Sequence, residues 1–430
     1  MKLKYRFALL LFFAGCLGLH GQDKLSIGKA IQIGLKNNYD IRILSKTEDV
    51  AAVSNTWGAA GGYPNVSLNF FSANKWDFND NQDFSSNSLT PSLGVNWTLF
   101  RGFSVKIRKE KLEELFQLSK GNTVVVVENT IQQIILAYYR VLLARERLKV
   151  AEKIMQLSRD RYDKALVGKE LGSTVTFEVL QAQNAWLEDK AAYLLQEVNV
   201  NNAGRDLNFL LGEKESQQFE FTDKLEPVVE EYQLAAMIDK MLENNSNLKN
   251  RYMQEMILKR DVQLARSNYY PSISLGGGLQ GNRIRVELDG QSASTTDSYN
   301  YYANLNLSFN LFNGGANRRA LQIARIQEEI GKIRTEDLKH TLTNQLAQFF
   351  ELYLVRQEVF ELSRENLEAA ELNLKISEDK YKSGSINSFN YRDVQVIYQN
   401  AALGRLNAIF SLIEAKTSLL RITGGILNEF

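Results

Sequence analysis

Cysteine, histidine and proline are scarce in this chain. Its 430 residues include one cysteine, two histidines and four prolines. Cys16 and His20 lie in an N-terminal segment with the character of a signal peptide, so only His340 remains in the rest of the chain. A disulfide framework, a histidine-based catalytic triad and a zinc site all need more of these residues. The sequence therefore predicts a protein that is not an enzyme and that holds no cofactor or metal.

The chain also lacks an excess of one charge and a long apolar run. Its 51 Lys and Arg residues balance 50 Asp and Glu residues, for a net charge of +1. Because polyanion-binding proteins usually carry a basic excess, nucleic acid is disfavoured as a partner. No segment after the signal offers the roughly 18 consecutive apolar residues that a membrane-spanning helix needs. If the protein spans a membrane, we expect it to do so as a β-barrel.

Residues 1–21 have the layout of a secretory signal peptide. Three basic residues precede an apolar run over residues 7–19, which is too short to span a bilayer as a helix. We expect cleavage after Gly21. Residues 13–16 loosely resemble a lipoprotein cleavage site, so lipidation of Cys16 is an alternative that the sequence leaves open.

The chain consists of two similar halves. Residues 63–68 (YPNVSL) recur as residues 270–275 (YPSISL), and residues 97–102 (WTLFRG) recur as residues 309–314 (FNLFNG). The matches keep their order and a nearly constant separation, which indicates an internal duplication. We predict a first repeat over residues 22–211, a linker over 212–231 and a second repeat over 232–430.

Each repeat has the same predicted order of elements: a helical segment, a β-hairpin and a long helical hairpin. The predicted bounds are 25–61, 64–100 and 102–211 in the first repeat, and 232–268, 271–312 and 315–422 in the second. Within the hairpins, strands are predicted at 64–76, 88–100, 271–287 and 299–312. Three prolines open predicted strands and the fourth lies in the linker, so none interrupts the long helices. A continuous helix over 102–168 would be about 100 Å long.

Apolar and polar residues alternate along the predicted strands, which places them on opposite faces. A soluble sandwich and a transmembrane barrel both give this pattern, but the export signal, the strand length and the aromatic residues at both ends favour the barrel. In a barrel the polar face lines the lumen, so we expect Asn96, Thr98, Asn306 and Ser308 to line the outer pore. A membrane barrel needs at least about eight strands. Since open sheet edges leave backbone groups unsatisfied in lipid, several chains must share one barrel.

Several motifs resemble those of the TolC family of outer-membrane efflux proteins (outer membrane factors). The strand-to-helix exits at 97–102 and 309–314 share a Leu-Phe-x-Gly core. Residues 172–183 and the Tyr-Lys-Ser-Gly sequence at 381–384 add to the likeness. The duplicated arrangement, over about residues 25–424, is its most specific feature.

The resemblance implies an α+β membrane fold in which a long α-helical barrel continues a shared transmembrane β-barrel. Each protomer of a homotrimer would contribute four strands. The protein would lie in the bacterial outer membrane, in contact with its lipid, and extend into the periplasm. It would export small molecules passively, after an inner-membrane pump of the RND or ABC type delivers them through a periplasmic adaptor protein.

In that family the tunnel is shut at its periplasmic tip, at the turns that join the paired long helices. Those turns correspond to about residues 168–174 and 382–388, and they contain Gly168, Gly172 and Gly384. The family often carries an acidic residue six positions after the turn glycine. The gate candidates are therefore Glu178, Asn390 (which departs from the pattern), Asp393 one helical turn further on, Tyr381 and Arg392. The alternative for each is a solvated side chain on a helix surface.

Three functions are compatible with the sequence. The first is a duct for the efflux of small molecules. The second is the exit duct of a type I protein secretion system, which would have the same fold and a different pump. The third, less favoured, is a structural envelope coiled-coil protein without a pore.

Overall fold

The computed structural model describes residues 23–78, 83–288 and 291–428. The predicted signal peptide and Cys16 lie outside the described residues. The elements of the first half are β1 (Asp23–Leu25), α1 (Ile27–Asn37), α2 (Tyr39–Ser54), β2 (Asn65–Asp77), β3 (Phe84–Arg101), α3 (Ser104–Glu170) and α4 (Thr176–Leu211). β4 (Phe219–Phe221) lies in the linker. The elements of the second half are α5 (Leu234–Asn244), α6 (Ser246–Ser267), β5 (Ser272–Leu288), β6 (Ser294–Ser308), α7 (Ala316–Lys382) and α8 (Ser388–Ile422). A 3₁₀ turn at Ile426–Asn428 follows.

The large sheet is antiparallel, with the strand order β2-β3-β5-β6. The edge strands β2 and β6 have no further partner strand among the described residues. β1 and β4 form a separate parallel pair. The predicted strands are confirmed, but β3 begins at Phe84 and β6 at Ser294, so the loops are shorter than predicted. Except for Phe84, the extra residues are polar, yet their backbone groups pair across the strands, as Asn87 does with Asn74. At its other end β6 stops at Ser308 instead of 312.

Pro91 lies in the middle of β3, so the prediction that it opens a strand is wrong. It pairs with Phe70 of β2 on one side. On the other side the pairing with β5 is interrupted at Thr90 and Pro91, because proline has no N–H to donate to the ladder. The Thr90 hydroxyl bonds to Asn282 Oδ1 at 3.1 Å there. A proline thus fits inside a strand where a side chain replaces part of the ladder.

The first helical segment of each repeat is two helices, which corrects the prediction of one. Asn38 separates α1 from α2, and Asn245 separates α5 from α6. Each side chain accepts hydrogen bonds from backbone N–H groups of the following helix, and such an asparagine ends one helix and caps the next. Each amide also donates to the end of a long hairpin, Asn38 to the Leu210 carbonyl and Asn245 to the Ile422 carbonyl. The two breaks are therefore equivalent in the two halves.

The long helices α3 and α7 have 67 residues each. At about 1.5 Å per residue, each is roughly 100 Å long. Near the sheet, α3 lies between α2 and α6, and α6 lies between α3 and α7. Further away, α3 packs against α4 and α8, and α8 against α7. The edges of this helical layer are therefore α2 and α7 near the sheet, and α4 and α7 at the far end.

Two apolar clusters hold the middle of the helical layer. The first surrounds Ile134 and Tyr138 of α3, which are fully buried. The second surrounds Leu346 and Tyr353 of α7, also fully buried. In each cluster a tyrosine hydroxyl donates a hydrogen bond to a backbone carbonyl outside the long helices, Tyr138 to Leu25 and Tyr353 to Glu230. None of the described helices is long and apolar enough to cross a membrane.

Candidate functional site

The two helical hairpins end in equivalent turns at the far end of the molecule. Gly172 has a φ of 74° and Gly384 a φ of 77°, in the left-handed region that favours glycine. The Ser173 N–H donates to the Gly168 carbonyl at 2.8 Å, and the Ser385 N–H donates to the Lys380 carbonyl at 2.8 Å. Both are the backbone bonds that close a helix C-terminus. The turns lie at 171–175 and 383–387, close to the predicted bounds, but Gly168 belongs to the last turn of α3 and not to the tip turn.

Arg392 of α8 forms a two-pronged ion pair with Asp189 of α4. The distances are 2.6 Å from Nη1 to Oδ2 and 2.9 Å from Nη2 to Oδ1. The side chains are only 21 % and 8 % exposed, so water screens the pair weakly. The pair joins one hairpin to the other. Sequence reasoning found Arg392 but missed Asp189, which lies 203 residues away and has no local signal.

Two further cations of α3 hold the start of α8 and the end of α7. Arg161 is buried, and its Nη1 donates to the Ser388 carbonyl at 3.3 Å. Burial, and then the neighbouring Arg392 guanidinium, lower the pKa of Arg161. Lys164 Nζ donates to the Tyr381 carbonyl at 2.5 Å and lies over the Tyr381 ring, 4.2 Å from its centroid. The tip cluster is defined here as Arg161, Lys164, Asp189, Tyr381, Tyr391 and Arg392.

Tyr381 packs in this cluster against Tyr391, with ring centroids 4.6 Å apart and planes 15° apart. Burial raises the pKa of the Tyr381 hydroxyl, and a hydrogen bond with Ser388 opposes the shift. Glu178, half-buried in the first turn of α4, is close enough for its charge to raise that pKa as well. The structure thus brings together three of the predicted gate residues, Glu178, Tyr381 and Arg392.

The remaining predicted gate residues, Asn390 and Asp393, are exposed on the first turns of α8. The Asn390 N–H donates to Asn387 Oδ1 at 2.9 Å, which caps the helix. Phe177 and Phe389 follow the two tip turns at matching positions, and their rings stack with centroids 6.3 Å apart. Phe177 is 65 % exposed. This aromatic pair links the two hairpins beside the tip cluster.

The four predicted lumen residues share one face of the large sheet. Thr98 pairs with Ser274, which pairs with Asn306, and Arg101 and Ser308 pair with Ser272. The register shift between Thr98 and Phe100 keeps the polar residues on the same side. Asn96 lies one alternation further along, opposite Gly276. This polar face is defined by Asn96, Thr98, Asn306 and Ser308.

The sequence matches the model of the outer membrane efflux protein family over residues 30–213 and 237–425, once in each half. The chain belongs to that family. Its members are channels of the bacterial outer membrane with a periplasmic tunnel, and this is the location of the protein.

Solved outer-membrane channels share the fold. The CmeC channel of Campylobacter jejuni is 14 % identical, with a TM-score of 0.75 over 93 % of this chain and 85 % of that one. The MtrE channel of Neisseria gonorrhoeae, in its open state, is 16 % identical, with a TM-score of 0.72 over 93 % and 89 %. CusC, a protein that forms a transmembrane channel, is 16 % identical, with a TM-score of 0.76 over 93 % of this chain and 92 % of that one. No protein with a curated description matches the sequence significantly.

Proposed function

We propose that three copies of this chain form a gated duct that carries small molecules passively out of the periplasm. An inner-membrane pump of the RND or ABC type would load it through a periplasmic adaptor protein. The observation that supports this most is a four-stranded sheet with both edges unpaired among the described residues, continued by helices of 67 residues. In lipid, unpaired backbone groups at two open edges cost several kcal/mol each. Copies of the chain that join edge to edge remove this cost.

The helical layer supports the same assembly. At one edge, α2 exposes a stripe at coiled-coil spacing, and at the opposite edge α7 exposes another. The α2 stripe consists of Tyr39, Ile43, Val50 and Val53, and the α7 stripe of Ile323, Ile326, Ile330 and Ile333, all at least 41 % exposed. Because the stripes lie on opposite edges, α2 of one copy packs on α7 of the next, and β2 pairs with β6. Such head-to-tail contacts close a ring.

The gate in this proposal is the tip cluster. The Arg392–Asp189 pair and the Lys164–Tyr381 bond hold the two hairpins of one copy together, so the tip opens only when these contacts break. Removing one partner of a buried pair leaves an uncompensated charge, at a cost of about 3–5 kcal/mol. Glu178 and Tyr381 strengthen the closed arrangement, while Asn390 and Asp393 present polar groups where three copies of α8 converge. At the other end, the polar face of the sheet lines a water-filled lumen.

Reconstitution tests this function. Purified protein should have the mass of a trimer by light scattering in detergent and should give long-lived, small single-channel conductances in a planar bilayer. A soluble monomer without conductance would contradict the proposal. Deletion of the gene should raise the retention of small toxic compounds in cells and leave secreted proteins unchanged. The reverse pattern would identify the duct of a type I secretion system.

A further inference from the structure

The polar face of the large sheet carries very few charges. Followed from Asn96 through every strand pairing, this face has three charged residues among those that the structure describes: Lys75, Asp77 and Arg101. Lys75 and Asp77 lie near the loop end of β2, with Nζ 2.5 Å from Oδ2, so their charges cancel at a distance. Arg101 lies at the other end of the sheet, roughly 55 Å away at about 3.3 Å per residue. Its charge is therefore not offset by an acidic residue on the same face.

A β-bulge turns Arg101 to the polar face. The pairing of β3 with β5 shifts in register just before Arg101. Beyond the shift, Arg101 pairs with Ser272, which pairs with Ser308 of the polar face. With strict alternation along β3, Arg101 would instead lie on the apolar face with Trp97. Bulges commonly redirect a side chain in this way, and this one keeps an arginine away from lipid.

The long helices begin next to Arg101, and their first turns are also basic. α3 and α7 have no hydrogen bond from an N-cap side chain and no acidic residue in the first turn. The N-terminus of a helix carries a partial positive charge, which acidic side chains usually offset. Lys106 and Arg318 occupy the third position of α3 and α7 instead, and both are exposed. The neck, defined here as residues 101–106 and 313–318, is therefore a basic junction between the sheet and the helices.

We propose that the Arg101 side chains of three copies form a basic ring in the lumen at the neck, which makes the duct favour anionic small molecules over cationic ones. Rings of arginine or lysine select anions in pores. The low-dielectric wall of a barrel concentrates the field of such a ring, and the helix N-termini at the neck add to it. The equivalent residue in the second half is the neutral Asn313, so the ring has one charge for each copy. The ring rests on the proposed trimeric duct.

The ion selectivity of the purified trimer tests the ring. In a planar bilayer with unequal KCl concentrations, the sign of the reversal potential shows whether Cl⁻ or K⁺ passes more readily. The parent should prefer Cl⁻ by about threefold, Arg101→Gln should show little preference, and Arg101→Glu should prefer K⁺. Arg101→Lys keeps the charge and should behave like the parent. Arg285→Gln removes the same charge from the other face of the sheet, so this matched control should keep the preference for Cl⁻.

A reporter thiol in the barrel gives a second measurement that does not depend on the periplasmic tip. Ser308→Cys places a thiol on the polar face, in register with Arg101. The single native cysteine, Cys16, lies in the predicted signal peptide. Intact cells are treated from outside with an anionic or a cationic methanethiosulfonate of similar size, which reaches the thiol through the barrel. The ratio of the anionic to the cationic labelling rate should fall about threefold when Arg101→Gln is added, and further with Arg101→Glu.

The possible results have distinct meanings. The same preference for Cl⁻ in the parent and in Arg101→Gln, with unchanged labelling ratios, would overturn the ring. An equal loss of preference in Arg285→Gln would show that the position of the charge does not matter, and would also overturn it. A change in the labelling ratio alone would support the ring and would place the narrowest part of the conducting path at the tip. Failure of the proposed function appears separately, as the absence of a trimer and of conductance in the purified parent protein.

Discussion

The guanidinium of Arg392 and the carboxylate of Asp189 face each other in a parallel, two-pronged ion pair that connects the two helical hairpins. They are 203 residues apart in the chain, with N–O distances of 2.6 and 2.9 Å. The planar fork of arginine matches a carboxylate in this geometry, and a lysine at position 392 would not reproduce it. Because the pair is largely shielded from water, it resists salt more than a surface pair does.

Asp189→Ala is expected to loosen the tip. It leaves Arg392 and the buried Arg161 without a carboxylate, which costs about 3–5 kcal/mol and favours separation of the hairpins. Single-channel recordings should then show larger or more frequent openings. The matched control is Glu361→Ala, which removes the pair of Glu361 with Arg364, both 55 % exposed. An exposed pair contributes at most about 1 kcal/mol, so this variant should conduct like the parent. A folded Asp189→Ala trimer with unchanged openings would refute the gate role of the pair.

The sequence predicted the element order well and the long-range contacts poorly. Strict alternation in 93–99 and 303–311 and the absence of proline after Pro271 define the strands and long helices locally. Asp189 could not be found in this way, because nothing near it indicates which helix lies opposite. The tip turns can be predicted from sequence, because the local backbone conformation of such a turn favours glycine. Whether Glu178, Tyr381, Asn390 and Asp393 serve the gate remains a prediction.

Two errors have local physical causes. The neighbours of Asn38 favour a continuous helix, yet its side chain competes for the N–H groups of the next turn. The other error is Pro91, which the sequence predicts at the start of a strand. It lies inside β3, where the pairing with β5 is interrupted at Thr90 and Pro91.

Gly121→Ala and Gly331→Ala are expected to destabilise the helical layer from opposite sides of α6. An added Cβ at Gly121 would collide with the side chain of Asn250, and one at Gly331 would lie 2.6 Å from Leu258 Cδ1. Asn250 would also lose its 3.0 Å bond to Asn122. Overpacking of this kind costs about 1–3 kcal/mol. Thermal unfolding of the purified protein measures the loss.

The matched controls for these glycines are Gly204→Ala and Gly404→Ala. Both positions lie inside long helices, and no atom lies within 4 Å of an added Cβ. Alanine is favoured over glycine in a helix by about 1 kcal/mol, so these variants should be slightly more stable. If all four substitutions had the same effect, close approach of the helices at Gly121 and Gly331 would not be the cause.

Glu128 should make the stability of the protein depend on pH. It is buried between α3 and α6 and accepts a hydrogen bond from the Ser246 hydroxyl at 2.6 Å. Burial raises its pKa above the ordinary value of 4.5, against the hydrogen bond and the charges of Arg421 and Lys249. The folded protein therefore holds the proton more tightly than the unfolded chain. Its contribution to stability is complete below pH 4.5 and is lost as the pH rises through the higher pKa of the folded state.

Glu128→Gln keeps the shape of the side chain and removes the titration. The variant should be more stable than the parent at neutral pH, with a shallower decline in unfolding temperature above pH 4.5. Glu361→Gln, at an exposed site, should leave the pH profile unchanged. If the unfolding temperature of Glu128→Gln depended on pH in the same way as that of the parent, Glu128 would ionise in the folded protein without loss of stability.

Ile330→Asp is expected to prevent assembly of the trimer. Ile330 lies in the α7 stripe and is 41 % exposed in the single chain, so the interface with α2 of the next copy would bury a carboxylate. An unpaired charge at a helical interface costs several kcal/mol. Arg325→Asp lies on the same helix outside the stripe and changes the net charge by more than Ile330→Asp does. It therefore distinguishes the effect of a buried carboxylate from the effect of net charge. Light scattering should give the mass of one chain for Ile330→Asp and of three for Arg325→Asp. A trimer in both cases would exclude α2 as the partner of the α7 stripe, because no arrangement that buries Ile330 tolerates the aspartate.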